Sequence, residues 1–381
     1  MTIDTVVPAE ELERRTIRKS DYVNCNNAFI DCKTPGSEAK ENYSIVGAGV
    51  TQNPDQVVNL ADAHGFQVGA AAMPHGVTNN LHMHYTAEVF LNFRGDWVLR
   101  WGNNGGRDGE HKLREGDIAT IPTWIFRGFN NIGRDDGWLF TVLGLDNTGG
   151  IIWDPSIIAG AAEHGLYISA DNQLLDRSKG HVIDETTALL PTISAADLAE
   201  LRTWGADEMG GRVVGFDDLN WSDLGFLCSR LPGGRARYAQ VIGYGMTENR
   251  HLVPPVHNPH GHNLAWLAAG RGEGLLAHRQ AEPQVLINYS GHWRIALNRG
   301  ADEITTEIGP DDTISIPPGA WRRFEALTDD AKLVIANEGD ARVRLEWDPE
   351  VVADALTQGL ARDAGGYLGS AAVIAMSAFD D

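Results

Sequence analysis

The chain has 381 residues, 43% hydrophobic and 22% charged, with a formal net charge of -21. That length predicts two domains, with enough apolar content for two cores. The acidic balance argues against nucleic acid, whose phosphates nothing here would neutralise, and against an anionic membrane surface. No apolar run is long enough to span a bilayer. The polar stretch Met1–Ser20 does not read as a signal peptide. Three sparse cysteines, Cys25, Cys32 and Cys228, predict a reducing compartment, and cytoplasm is the default.

In chain order, the first elements are short and β-branched or aromatic with Gly or Asp punctuation, which predicts strands at Val89–Phe93, Trp97–Trp101, Ile118–Pro122 and Leu139–Leu143. Asn103-Asn104-Gly105-Gly106 reads as a hairpin turn, since Asn and Gly tolerate positive φ. Asp154 is a good N-cap, Pro155 a good first helical residue, and Gly165 stands where a helix stops. A bridging helix is predicted over Ala195–Trp204 behind Ser194.

The same elements then recur. At an offset of 196, Gly47, Gly49, Thr51 and Asn53 fall on Gly243, Gly245, Thr247 and Asn249, His64-Gly65 on His260-Gly261, and Val89, Asn92, Gly95 and Trp97 on Val285, Asn288, Gly291 and Trp293. One residue is then lost, and Asp117, Ile121, Pro122 and Phe129 match Asp312, Ile316, Pro317 and Phe324. Trp153-Asp154-Pro155 and Gly165-Leu166 match Trp347-Asp348-Pro349 and Gly359-Leu360. Many evenly spaced strands with turn signals predict an all-β pair of barrels with a few short helices. The expected division is an N-terminal arm and first barrel over 1–185, and a linker helix with a second barrel over 186–381.

Within the first copy, His82 and His84 are two apart, so on a strand both side chains take one face, and Glu88 shares their parity. Two imidazoles and a carboxylate make a facial set that suits Fe(II) and leaves positions open for substrate or O₂; Mn, Ni, Co or Zn could take the same ligands.

The stretch Gly76-x5-His82-x-His84-x3-Glu88-x6-Gly95 matches the first cupin signature at every specified position, and Gly116 to Pro122 matches the start of the second. The chain therefore resembles bicupins, among them gentisate- and quercetinase-type dioxygenases and oxalate decarboxylases. The resemblance implies two tandem double-stranded β-helix barrels, jelly-roll-like, and assembly into homo-oligomers. It also implies a histidine ligand five residues after the proline, a place held here by Arg127. A guanidinium has no acceptor lone pair and cannot ligate a cation. Arg127 either holds the carboxylate or enolate oxygen of a metal-bound substrate, or turns outward or pairs with a nearby acid.

In the second copy, His278, Gln280 and Gln284 fall on His82, His84 and Glu88, and Arg322 on Arg127. Amide oxygens are weak ligands for a transition metal, so this barrel is expected to be metal-free, a structural partner or a small polar pocket. Glu282 becomes a ligand only if the register slips. His64 and His260 suggest a shared structural role, and His257, His260 and His262 a second cluster or exposed loop histidines. Trp124 and Phe126 are pocket or core aromatics, and His75 and His111 surface residues.

These features predict a metal-dependent enzyme with Arg127 and Glu88 in catalytic roles, foremost a non-haem iron dioxygenase for a small anionic aromatic or enolisable substrate. An isomerase, lyase or decarboxylase working without O₂, with Glu88 as a base, is the alternative within enzymes. A non-catalytic small-molecule-binding protein is the alternative outside them.

Overall fold

Trp97–Trp101 alternates buried and half-buried side chains, as a strand with one face on a core must, and its repeat counterpart Trp293–Leu297 likewise buries its alternate residues. The computed structural model describes residues 4–103, 105 and 108–377. Contacts divide it into one unit, Tyr22–Asp218, and another composed of Met1–Asp21 with Leu219–Asp381.

In the unit Tyr22–Asp218, one sheet runs in the order Ile151–Trp153, Thr78–His84, Arg127–Asn131, Trp97–Trp101, Gly109–Leu113. The other runs Val213–Val214, Ile118–Ile121, Glu88–Arg94, Gly137–Gly144, Phe66–Met73, Glu41–Val46, Val58–Leu60. Phe90, Trp97, Leu99, Trp101, Phe129 and Leu139 join in its core.

The other unit repeats that order. One sheet is Glu346–Trp347, Gly274–Arg279, Arg322–Ala326, Trp293–Leu297, Ile304–Ile308; its companion is Thr16–Ile17, Thr313–Ile316, Gln284–Ser290, Ala331–Glu338, His262–Ala269, Arg237–Ile242. Leu286, Trp293, Ile295, Phe324 and Leu333 lie in its core. Both units are β barrels with a few short helices, as expected.

Matched residues do matched work. Asn92 donates through Nδ2 to Gly95 O at 2.9 Å, and Asn288 to Gly291 O at 3.0 Å. Gly95 has φ +94, and a Cβ there would meet Gly137 Cα at 3.0 Å, so the turn requires glycine. Asp154 caps Pro155–Glu163 by accepting from Ser156 N, and Asp348 caps Pro349–Thr357 by accepting from Glu350 N.

Three placements differ from the sequence reading. The arm does not join the barrel it precedes: Thr16–Ile17 pairs with Ile314–Thr313, while Val213–Val214 pairs with Ala119–Ile118. Residues 186–218 accordingly sit with the first barrel rather than beyond a boundary at 185. Each arm strand completes a sheet edge, which satisfies backbone groups that an open edge would expose. The helix expected over Ala195–Trp204 ends at Glu200, although Ser194 caps it. Asn103 Nδ2 donates to the Leu201 carbonyl at 3.3 Å and Trp101 Nε1 to the Trp204 carbonyl at 2.9 Å, while the backbone is already extended at Leu201. Asn104 and Gly106 of the expected turn lie outside the described residues; the flanking strands Trp97–Trp101 and Gly109–Leu113 pair antiparallel.

Candidate metal centre

His82 and His84 sit two apart on Thr78–His84 and turn both rings to the barrel interior, 4.9 Å between centroids. Arg127 stands directly opposite His82 in the same sheet, so it shares that face. Glu88 opens Glu88–Arg94 in the facing sheet and sends its carboxylate across the interior. One ligand atom from each of His82, His84 and Glu88 lies within 4.8 Å of the others, and all three residues are buried. Among the described residues no other group of three such side chains converges this way.

The donor set fits a single divalent cation. His82 Nδ1 bonds to the Asn80 carbonyl at 2.7 Å, which puts the lone pair on Nε2. Burial, then the charge of Arg127, push His82 well below its ordinary pKa, so the ring is a neutral potential ligand. Neither ring nitrogen of buried His84 has a hydrogen-bond partner, and its Nε2 is 3.6 Å from Glu88 Oε1.

Arg127 turns inward and meets an acid there. Its Nη2 and Nε donate to Glu88 Oε2 at 2.5 and 3.1 Å, and its Nη1 donates to the His82 carbonyl at 2.9 Å. Burial pushes the Glu88 carboxyl up to about 8 and draws the Arg127 guanidinium down, and the contact between the two opposes both shifts. A cavity of about 60 Å³ adjoins the three side chains, walled in part by Tyr43, Val68, Phe129, Thr141 and Leu143. At roughly 30 Å³ per water, it has room for two or so.

The second barrel closes the same place. His278 lies opposite Arg322 and bonds through Nδ1 to the Leu276 carbonyl at 2.8 Å. Asn337 Oδ1 accepts from both Gln280 Nε2 and Gln284 Nε2 at 2.9 Å, and Arg322 Nη1 donates to Gln284 Oε1 at 3.2 Å. Glu282 is half-buried in the loop between strands, where its carbonyl accepts from Gln280 Nε2 at 3.1 Å, and the register does not slip, because Gln284 pairs with Ile316 and Asn337.

Asn337 went unnoticed in the sequence although the 194 offset sets it on Leu143. The buried pair Lys40–Asp31 was also missed: Nζ is 2.7 and 2.8 Å from the carboxylate and 2.7 Å from Asn79 Oδ1. Asp31 in turn accepts from the Asn80 backbone N–H at 3.2 Å, next to the carbonyl that orients His82. No periodicity announces a pair formed in irregular chain.

The remaining candidates stand outside the group formed by His82, His84 and Glu88. The backbone N–H of His64 donates to Asp146 Oδ1 at 2.8 Å, and that of His260 to Asp340 Oδ1 at 2.7 Å. His260 and His262 are buried, whereas His257 is exposed. Phe126 is core, while Trp124 is 47% exposed at φ +63. His75 is exposed, with Nδ1 on the Gly133 carbonyl, and His111 is half-buried.

Among solved structures, the chain is similar to the oxalate decarboxylase of Lactobacillus farciminis in its formate complex, with TM-score 0.55, 11% identity and coverage of 94% of this chain and 93% of that one. It is also similar to the 7S globulin of Momordica charantia, with TM-score 0.53, 9% identity and coverage of 88% and 86%. Oxalate decarboxylase from Bacillus subtilis gives TM-score 0.52, 12% identity and coverage of 94% and 84%. The fold is that of a bicupin. No family model and no curated protein sequence matches this chain. Identities this low bear on fold alone. Among the described residues, no helix is long and apolar enough to cross a membrane.

Proposed function

We propose that this bicupin is a metal-dependent enzyme that removes carbon dioxide from a small carboxylic acid, at one divalent cation held by His82, His84 and Glu88. The observation that carries the proposal is the convergence of those buried donors beside a cavity of about 60 Å³. A benzene-sized guest takes a cavity of about 150 Å³. The space thus favours a two-carbon acid over the aromatic substrate first expected. The two decarboxylases among the structural neighbours act on such an acid by name.

A cation bound there supplies Lewis acidity to a chelated carboxylate. His82 presents Nε2 because Asn80 holds Nδ1, and His84 offers a ring with no competing partner. Arg127 keeps Glu88 Oε2 engaged and leaves Oε1 on the His84 side, which makes it an orienting residue for the carboxylate ligand. Phe129 and Leu143 give the cavity apolar walls. In the reaction the carbon–carbon bond breaks, carbon dioxide leaves, and a proton takes up the electron pair left on carbon, with no net oxidant consumed. Fe(II) is the first expectation for the metal, and the same ligands accept Mn(II). The second barrel is metal-free in this reading, since its amides satisfy one another. Three buried free cysteines fit a reducing compartment such as the cytoplasm.

The test is metal analysis of the reconstituted protein with H82A and H84A beside it, then oxalate turnover followed by carbon dioxide release and an oxygen electrode. One metal per chain, lost in both variants, with carbon dioxide released and no matching oxygen uptake, is expected. One O₂ consumed per substrate would restore the dioxygenase, and a chain that takes up no metal would remove both.

A further inference from the structure

The second unit holds a cavity of about 500 Å³, within the size range of small-molecule sites. One side is apolar, with Val352 and Leu356 one turn apart on Pro349–Thr357, and Ile374. Arg342, Arg344 and Arg362 line it too. Arg362 Nη1 is 3.0 Å from Glu248 Oε1, and the Trp347 indole N–H also donates to that oxygen. Arg342 and Arg344 form no ion pair with any described residue, in a chain with 52 acidic and 31 basic side chains. Both guanidiniums converge on the turn at Gly365–Gly366: Arg342 donates to both carbonyls, and Arg344 to Gly365 O at 3.2 Å. A Cβ on Gly366, which has φ +74, would meet Arg342 Nη2 at 3.1 Å and Arg344 Nη1 at 3.5 Å. Glu248 and Asp363 line the same cavity but are paired with Arg362 and Arg250, so two neighbouring guanidiniums keep capacity for a further anion.

The duplication supplies an internal control. Trp153 is bonded to Gln52 as Trp347 is to Glu248, so the scaffold is shared. Yet the first copy has Thr148, Gly150 and Ile168 where the second has the three arginines. Arg362 answers the buried Glu248, which stands where the first copy has the neutral Gln52, whereas Arg342 and Arg344 have no such acid. We propose that this cavity binds an amphiphilic carboxylate, its head on Arg342 and Arg344 and its hydrocarbon tail along Val352 and Leu356. Guanidiniums with most of their five N–H donors unspent match a carboxylate, and the apolar wall selects for a tail.

Calorimetric titration of the full chain with sodium octanoate tests this, with octan-1-ol and inorganic phosphate as controls. One octanoate per chain is expected, with no binding of the alcohol and weaker binding of phosphate. R342Q/R344Q should weaken octanoate by about tenfold or more, the worth of a charge-assisted hydrogen bond. H82A, in the other unit, should leave the affinity unchanged. V352D, which puts a like charge in the lining, should abolish binding and serves if the glutamine pair melts early. Absence of octanoate binding, survival of binding in V352D, loss in H82A, or phosphate as tight as octanoate would each overturn the proposal.

Discussion

The Nη2 of Arg127 stands 2.5 Å from Oε2 of Glu88, a side chain that arrives from the facing sheet. The pair is buried at both ends. It gives the candidate metal carboxylate a partner inside the barrel and ties the two sheets together at the site.

Removing one member strands the other. Arg127→Met should lower unfolding free energy by about 1–3 kcal/mol, because the buried Glu88 carboxyl loses its donors and must take up a proton. A divalent cation should restore much of that loss, since it replaces the missing positive charge. Urea denaturation with and without Mn²⁺ checks both parts; a variant equally stable without metal would show that the pair carries no such energy.

Metal should stabilise the wild-type protein by linkage. At about a hundredfold excess over Kd the gain is about 2.7 kcal/mol, and it should vanish in His82→Ala and His84→Ala. Thermal melts across a cation series read this directly.

Burial holds His262 and His278 near pKa 3, against 6.5 ordinarily. Between those values the unfolded chain binds protons on these rings and the folded chain does not. Their contribution is therefore full above pH 6.5 and is lost as pH falls toward 3, at about 1.4 kcal/mol per pH unit for each ring. His278→Gln should flatten the fall in stability between those pH values by one ring's share. An unchanged slope in urea melts at pH 7, 5 and 4 would refute the assignment.

Asn337 occupies the place of Leu143 and closes the second barrel. Asn337→Leu alone should cost about 1–3 kcal/mol, because two buried glutamine amides lose a shared acceptor and Asn263 Oδ1 loses a donor. Combined with Gln280→His and Gln284→Glu, it should create a second site beside Arg322. Metal stoichiometry would rise from one to two per chain.

Much of this was legible beforehand. The offsets of 196 to 194 give two copies of one strand order, and Asp154, Gly165, Asp348 and Gly359 mark both closing helices. Parity alone sets His82 and His84 on one face. The cavity's small size was not legible, nor was the Lys40–Asp31 pair, because both depend on side chains from separate parts of the chain meeting in space.

By itself the sequence determined the duplication, the strands, the helix caps and the inward face of each candidate ligand, since these are local matters of period two, capping and positive φ. Only the tertiary structure decided that Arg127 grips Glu88, that Asn337 seals the second barrel, and that Thr16–Ile17 joins a sheet of the second copy while Val213–Val214 joins one of the first. Periodicity fixes the side of a strand on which a residue lies. Which distant residue waits there is settled by how the two sheets face each other.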